Sequence, residues 1–183
     1  MNWLFYFWAL MLNQFLPSAI ARFEQYKLLA EKAIHQINEE QLFVCISSES
    51  NSIAMLVQYL HGNMLSRWTD FLTTDGEKDW RQRDAEFEAV IKTKTELLEK
   101  WEACWACLFN ALKSLNENDL QKIITIRNEK HTVMDAIHRQ MMHYSYHVGQ
   151  MVLLAKALSN EQFQSLSIPK NQSKDFNEKL LGK

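Results

Sequence analysis

Apolar residues recur at helical spacing in four long stretches of the chain, separated by short polar segments. The first stretch, from about residue 12 to 37, sets Phe15, Ala19, Phe23, Tyr26, Leu29, Ala30, Ala33, Ile34 and Ile37 on one stripe and predicts an amphipathic helix. A polar break over residues 47–52 supplies N-cap chemistry. The second helix then carries Ile53, Leu56, Val57, Leu60, Met64, Trp68 and Phe71 on one face. Residues 73–79 read as a turn-rich loop. A third helix, roughly 83–115, buries Phe87, Val90, Ile91, Leu97, Leu98, Trp101, Trp105, Leu108, Phe109 and Leu112, and stops at the polar residues 116–119. Between Lys122 and Val133 the helical period is lost and β-branched residues cluster, which predicts a short β-hairpin. A fourth helix follows over about 134–158, and the polar tail 159–183, with Pro169, reads as a loosely packed strap. The expected fold is all-α, a four-helix bundle with a short hairpin before its last helix.

Composition narrows the function classes. With 183 residues, 47% hydrophobic and 23% charged, the chain can bury one sizeable core. Four glycines and two prolines leave little turn punctuation, which excludes a barrel or sandwich and any phosphate-cradling glycine loop. Twenty Lys and Arg against 22 Asp and Glu, with no dense basic stretch, exclude a nucleic-acid partner. Three cysteines form no disulfide framework, so a reducing cytoplasm is expected. The apolar run 3–12 lacks a preceding basic residue and a cleavage pattern, and Asn13 and Gln14 end it well short of the roughly 20 residues of a spanning helix. It reads as an extension of the first helix or an upstream start. A membrane-interface tether is the alternative, and it predicts sedimentation with membranes that deletion of residues 1–10 abolishes.

The sharpest candidate chemistry is His143-Tyr144-Ser145-Tyr146-His147, since i, i+4 spacing stacks two imidazoles on one helical face, where they can grip one metal ion. Such a pair alone is more often made of surface or core histidines. No Glu follows His143, which excludes the zinc-protease motif. Cys104 and Cys107 have CxxC spacing but sit mid-helix among Trp101, Leu108 and Phe109, so core packing is the expectation, and Cys45 reads the same way. His35, His131 and His138 read as helix-surface or hairpin residues, and Met141 and Met142 as core. Arg67, Trp80, Arg81 and Arg83 are candidates to border a cleft and meet an anion. A salt-bridged surface with Asp70, Asp75, Glu77 and Asp84 is the preferred reading of them.

Two blocks carry a family resemblance. One is Gly62-Asn63-Met64 with residues 66–77, Trp80-Arg81 and Arg83-Asp84; the other is His143 through Gln150, HYSYHVGQ. The chain resembles the DinB/YfiT-like superfamily of four-helix-bundle metal-dependent hydrolases and thiol transferases, in an uncharacterised bacterial branch, with coverage from about Met11 into the tail. The resemblance divides the chain into an extension over 1–10, a bundle over 11–160 and a polar tail over 161–183, with Met11 as the natural initiator. It implies a divalent nickel, zinc or iron held by three histidines, one from the second helix and two from the fourth. It also implies a small-molecule substrate, a low-molecular-weight thiol such as bacillithiol or mycothiol, and a homodimer paired through helices.

One position departs from that pattern. The second-helix ligand falls on Tyr59, and His61, two residues on, points roughly 160° away around the helix. Asn63 and Arg67 lie on the Tyr59 side. The metal set is thus His143 and His147 with Tyr59 or His61. Three readings stand: a phenolate ligand, although the phenol pKa is roughly 10; a distorted site using His61; or weakened metal binding that leaves a non-catalytic binding pocket. The expected function is a metal-dependent transferase or hydrolase acting on a thiol conjugate or small electrophile, and the alternative is a helical binding protein with a degenerate metal site.

Overall fold

The computed structural model describes residues 14–88, 90–159 and 163–182. Its elements are α1 (Phe15–Ile34), α2 (Ile53–Trp68), α3 (Lys94–Ser114), β1 (Ile123–Ile126), β2 (Glu129–Thr132), α4 (Val133–Leu158) and α5 (Ser173–Leu181), with short 3-10 turns at Glu40–Phe43, Asp84–Phe87 and Glu117–Asp119. Three helices start on side-chain caps: Ser52 accepts from the Met55 N–H, Thr93 from that of Glu96 and Thr132 from that of Asp135. The expectations placed on residues 1–10 lie outside the described residues. Among the described residues no helix is long and apolar enough to cross a membrane.

The four long helices form the bundle, with α2 packed chiefly on α3 and α1 on α4. Their contacts fix the directions. Phe15 meets His138, Phe23 meets Tyr144 and Gln41 reaches the Leu158 carbonyl, so α1 and α4 run parallel. Glu31 accepts from Trp101 while Phe23 meets Trp105, so α3 runs opposite to α1. Tyr59 meets His147 while Trp68 meets Tyr144, so α2 runs opposite to α4. The order is up, down, down, up.

One large aromatic from each helix fills the middle. Phe23 of α1 lies 6.4 Å from Trp68, 6.3 Å from Trp105 and 5.9 Å from Tyr144, ring centre to ring centre. Aromatic pairs at such spacings add to the burial energy of the rings. The Trp68 indole N–H donates to the Tyr144 hydroxyl, which donates to Asn63 Oδ1, so these two polar ends are satisfied while buried, whereas the buried Trp105 indole nitrogen has no hydrogen-bond partner among the described residues.

Because α2 and α3 run the same way, the chain between them must return the length of the bundle. Residues 69–88 and 90–93 belong to a strap laid along α2. Here the structure corrects the expected third helix, which starts at Lys94 and not near residue 83. The Gln58 side chain explains the difference. Its amide donates to the Ala85 and Glu88 carbonyls and accepts from the Ile91 N–H, taking backbone groups that a helix would need. Ile91 is buried as expected, but Phe87 and Val90 are largely exposed. Phe71 is buried but lies past the end of α2.

The hairpin falls where the sequence places it, with Ile126 opposite Glu129. Its two turn residues, Arg127 and Asn128, both have left-handed backbones, φ 54° and 61°, as a two-residue type I′ turn requires. The turn is tied to the strap: Asp75 accepts from the N–H groups of both, the Gly76 N–H donates to the Thr125 carbonyl, and Arg127 Nε donates to Glu77. Burial alone would raise the Asp75 pKa, but the N–H groups of Glu77, Asn128 and Arg127 and the Thr125 side chain outweigh it and hold the carboxyl well below its ordinary range. The tail also differs from expectation, since it carries the exposed helix α5.

Candidate functional site

The strap side of α2 and the facing side of α4 bring Tyr59, His143 and His147 together. The Tyr59 hydroxyl lies 3.1 Å from His143 Nε2, and His143 Nε2 lies 3.1 Å from His147 Nε2. The other nitrogen of each ring faces an amide oxygen: His143 Nδ1 is 3.4 Å from Gln140 Oε1, and His147 Nδ1 is 3.2 Å from Gln150 Oε1. Tyr59 is buried and both histidines are half-buried. Phe87 from the strap stacks on the Tyr59 ring at 5.0 Å and 27°. Among the described residues no three His, Cys, Asp or Glu side chains are grouped to hold a metal ion. The third donor atom beside the imidazoles is the Tyr59 phenol oxygen.

His61 is not part of this group. It lines a separate cleft of about 220 Å³ with Trp80, Arg81, Glu86, Val90 and Lys100. Burial and the Lys100 charge lower its pKa.

A buried charge cluster supports Tyr59 from behind. The Arg81 guanidinium lies 5.8 Å from the Tyr59 ring centre and donates two 2.8 Å hydrogen bonds to Glu86. Glu77 joins the pieces, pairing with Arg67 at 3.2 Å, Arg81 at 3.7 Å and Arg127 at 3.0 Å. Arg67 also donates to the Gly76 carbonyl. The Arg81 side chain is only 1% exposed. These arginines are therefore not the expected salt-bridged surface, and Glu86, which the sequence did not single out, is the main partner of Arg81. Burial works against the Arg81 charge, but Glu86 and Glu77 outweigh it and raise its pKa. Arg67 is lowered by burial and by Arg81 in spite of Glu77. Gly62 permits the arrangement, since a Cβ there would stand 2.0 Å from Glu86 Oε1. Arg83 is exposed.

Other expectations divide. Cys104 is fully buried and Cys107 partly so, and burial raises both thiols, as core packing requires. Cys45 is exposed, as is Met142 at 67%, so neither belongs to the core. His35 and His138 are on the surface, and His131 in the hairpin pairs with Asp135.

The charge state of the pair follows from its surroundings. Burial, His147 and the guanidinium groups of Arg67, Arg139 and Arg81 push His143 down to about 4. Burial also lowers His147, against the opposing effect of the Gln150 hydrogen bond. Both rings are thus neutral near pH 7. In metal-free protein the unfolded chain takes up a proton at His143 near its ordinary value of 6.5, while the folded chain resists until about pH 4. Stability contributed here is therefore complete above about pH 7 and falls as the pH drops from 6.5 towards 4. Urea midpoints measured across this window should decline in the wild type and decline less in His143→Gln; equal slopes would contradict the assignment.

Fold and site together define an all-α bundle protein in which two imidazoles from one helix meet a phenol from another beneath a crossing strap. Residues 11–172 match the family described as protein of unknown function, DUF1572, and the chain belongs to that family. No curated protein matches it.

Proposed function

We propose that the protein is a DinB-like metal-dependent transferase or hydrolase acting on a thiol conjugate or small electrophile, with one divalent nickel, zinc or iron ion held by His143, His147 and Tyr59. The observation that carries this reading is the meeting of three donor atoms, with His143 Nε2 at 3.1 Å from both the Tyr59 oxygen and His147 Nε2. Neutral imidazole nitrogens suit zinc, iron and nickel, and the low proton affinity of both rings keeps them in the ligating form. The residues present therefore fit such an ion. A bound ion would hold a thiol as thiolate or lower the pKa of a water molecule. Phe87 stacks on Tyr59 at the strap side, and the nearby guanidinium groups favour an anionic substrate group.

A second reading, a non-catalytic binding protein with a degenerate metal site, is favoured by one observation. The third donor is a phenol whose oxygen already pairs with His143, and phenols ionise reluctantly near pH 7.

Metal content of untagged protein purified without chelator separates the two. Near-stoichiometric metal in the wild type, lost in His143→Ala, is expected. Wild type without metal, together with metal gained by Tyr59→His, would overturn the enzyme reading in favour of the degenerate site.

A further inference from the structure

Gln140, His143, His147 and Gln150 fall at i, i+3, i+7 and i+10 of α4, a stripe on one side of the helix that reads the same from either end. Each glutamine oxygen faces the Nδ1 of the nearer histidine, at 3.4 Å for Gln140 and 3.2 Å for Gln150. An amide oxygen has no proton to give, so with the amides turned this way each contact is a hydrogen bond when the proton sits on Nδ1.

The consequence lies at the opposite ring edges. Two imidazoles with Nε2 atoms 3.1 Å apart would, if left alone, form an N–H···N hydrogen bond, one ring donating from Nε2 and the other accepting. That arrangement blocks both nitrogens, because one carries a proton and the other is occupied by it. With both protons on Nδ1, two lone pairs face each other. The Tyr59 hydroxyl can supply a proton to His143 alone, whereas one cation placed between the two lone pairs satisfies both rings at once.

We infer that Gln140 and Gln150 are positioning residues that fix both histidines in the Nδ1–H tautomer, so that both Nε2 lone pairs are available to one cation. The cation rests on the metal reading above; the tautomers can be tested without it. Hydrogen bonding of the second ring nitrogen is a general means of setting a ligating histidine's tautomer and orientation, and losing such a partner weakens metal binding by about 10-fold to 100-fold.

The test uses the full-length protein labelled with ¹⁵N-histidine. In chelator-treated wild type above pH 7, imidazole ¹H–¹⁵N spectra should show the proton on Nδ1 of both residues. Gln150→Leu should return His147 to the Nε2–H form or a mixture, and calorimetric titration with Zn²⁺ should show about 10-fold to 100-fold weaker binding. Gln150→Glu, which keeps an accepting oxygen, should restore both the tautomer and the affinity. Gln140→Leu should act in the same way on His143. Gln140 is buried and Gln150 half-exposed, so the Gln150 variants carry the test if Gln140→Leu fails to fold. Wild-type rings protonated on Nε2, or leucine variants with unchanged tautomers and Zn²⁺ affinity, would overturn the inference. Wild type that shows both Nδ1–H tautomers yet takes up no Zn²⁺ would overturn the metal reading and support the tautomer assignment.

Discussion

Phe23→Ala is expected to lower the unfolding free energy by about 4 kcal/mol, the middle of the range for an aromatic truncated in a packed core. For a chain of this length that corresponds to a melting temperature roughly 8–16 °C lower. The side chain is fully buried and touches an aromatic ring on each of the other three long helices, so no single neighbour can move to close the space. Urea unfolding followed by tryptophan fluorescence measures the loss. A value below about 1 kcal/mol would mean that the core collapses around the gap, and that the four-aromatic centre is not what holds the helices in register.

Glu86→Ala should cost about 3 kcal/mol, for a different reason. Arg81 is almost completely enclosed, and its Nη1 already lacks a hydrogen-bond partner. Removing Glu86 strips its two 2.8 Å bonds and leaves Glu77, 3.7 Å away, as its nearest compensation. A buried charge without its partner is much worse than no charge, so adding Arg81→Met to Glu86→Ala should recover most of the loss. The double-mutant cycle reads this directly. Additive losses would show that the two side chains act independently. The single variant should also disturb the site, because Arg81 packs against Tyr59.

The helices were legible in the sequence because their information is local. Apolar spacing marked α1 through α4 to within a few residues, apart from the start of α3, and the β-branched run over residues 123–126 marked the hairpin. The strap was not legible in the same way. Phe87, Val90 and Ile91 have helical spacing, but the partner that keeps this backbone out of an α-helix is Gln58, 27 to 33 residues earlier, and no local period reports it. The site divides along the same line. His143 and His147 share one helix and could be paired from spacing alone. Tyr59 joins them only through the packing of α2 on α4, which family resemblance anticipated and periodicity could not. Arg67 and Arg81 looked like surface charges because charge normally implies exposure. Glu77 and Glu86 enclose them instead. Gln140 did leave a signal in the sequence, its mirror spacing with Gln150 about the histidine pair, but glutamine on a helix carries no alarm by itself.

The parallel pairing of α1 with α4 governs how the chain can assemble during synthesis. Helix α1 is made first, yet its main neighbour is the last long helix, more than a hundred residues later. Contacts between distant segments are slow to close, and a ribosome delivers the chain from the N-terminus at a finite rate. The pair α2 and α3 can form once the strap has emerged and can meet Phe23, but the main contact of α1 waits for α4. A chain stopped before Val133 would leave much of the apolar face of α1 uncovered. Truncated forms of this protein should consequently be aggregation-prone and depend on chaperones, whereas loss of the exposed α5 should have little effect on assembly.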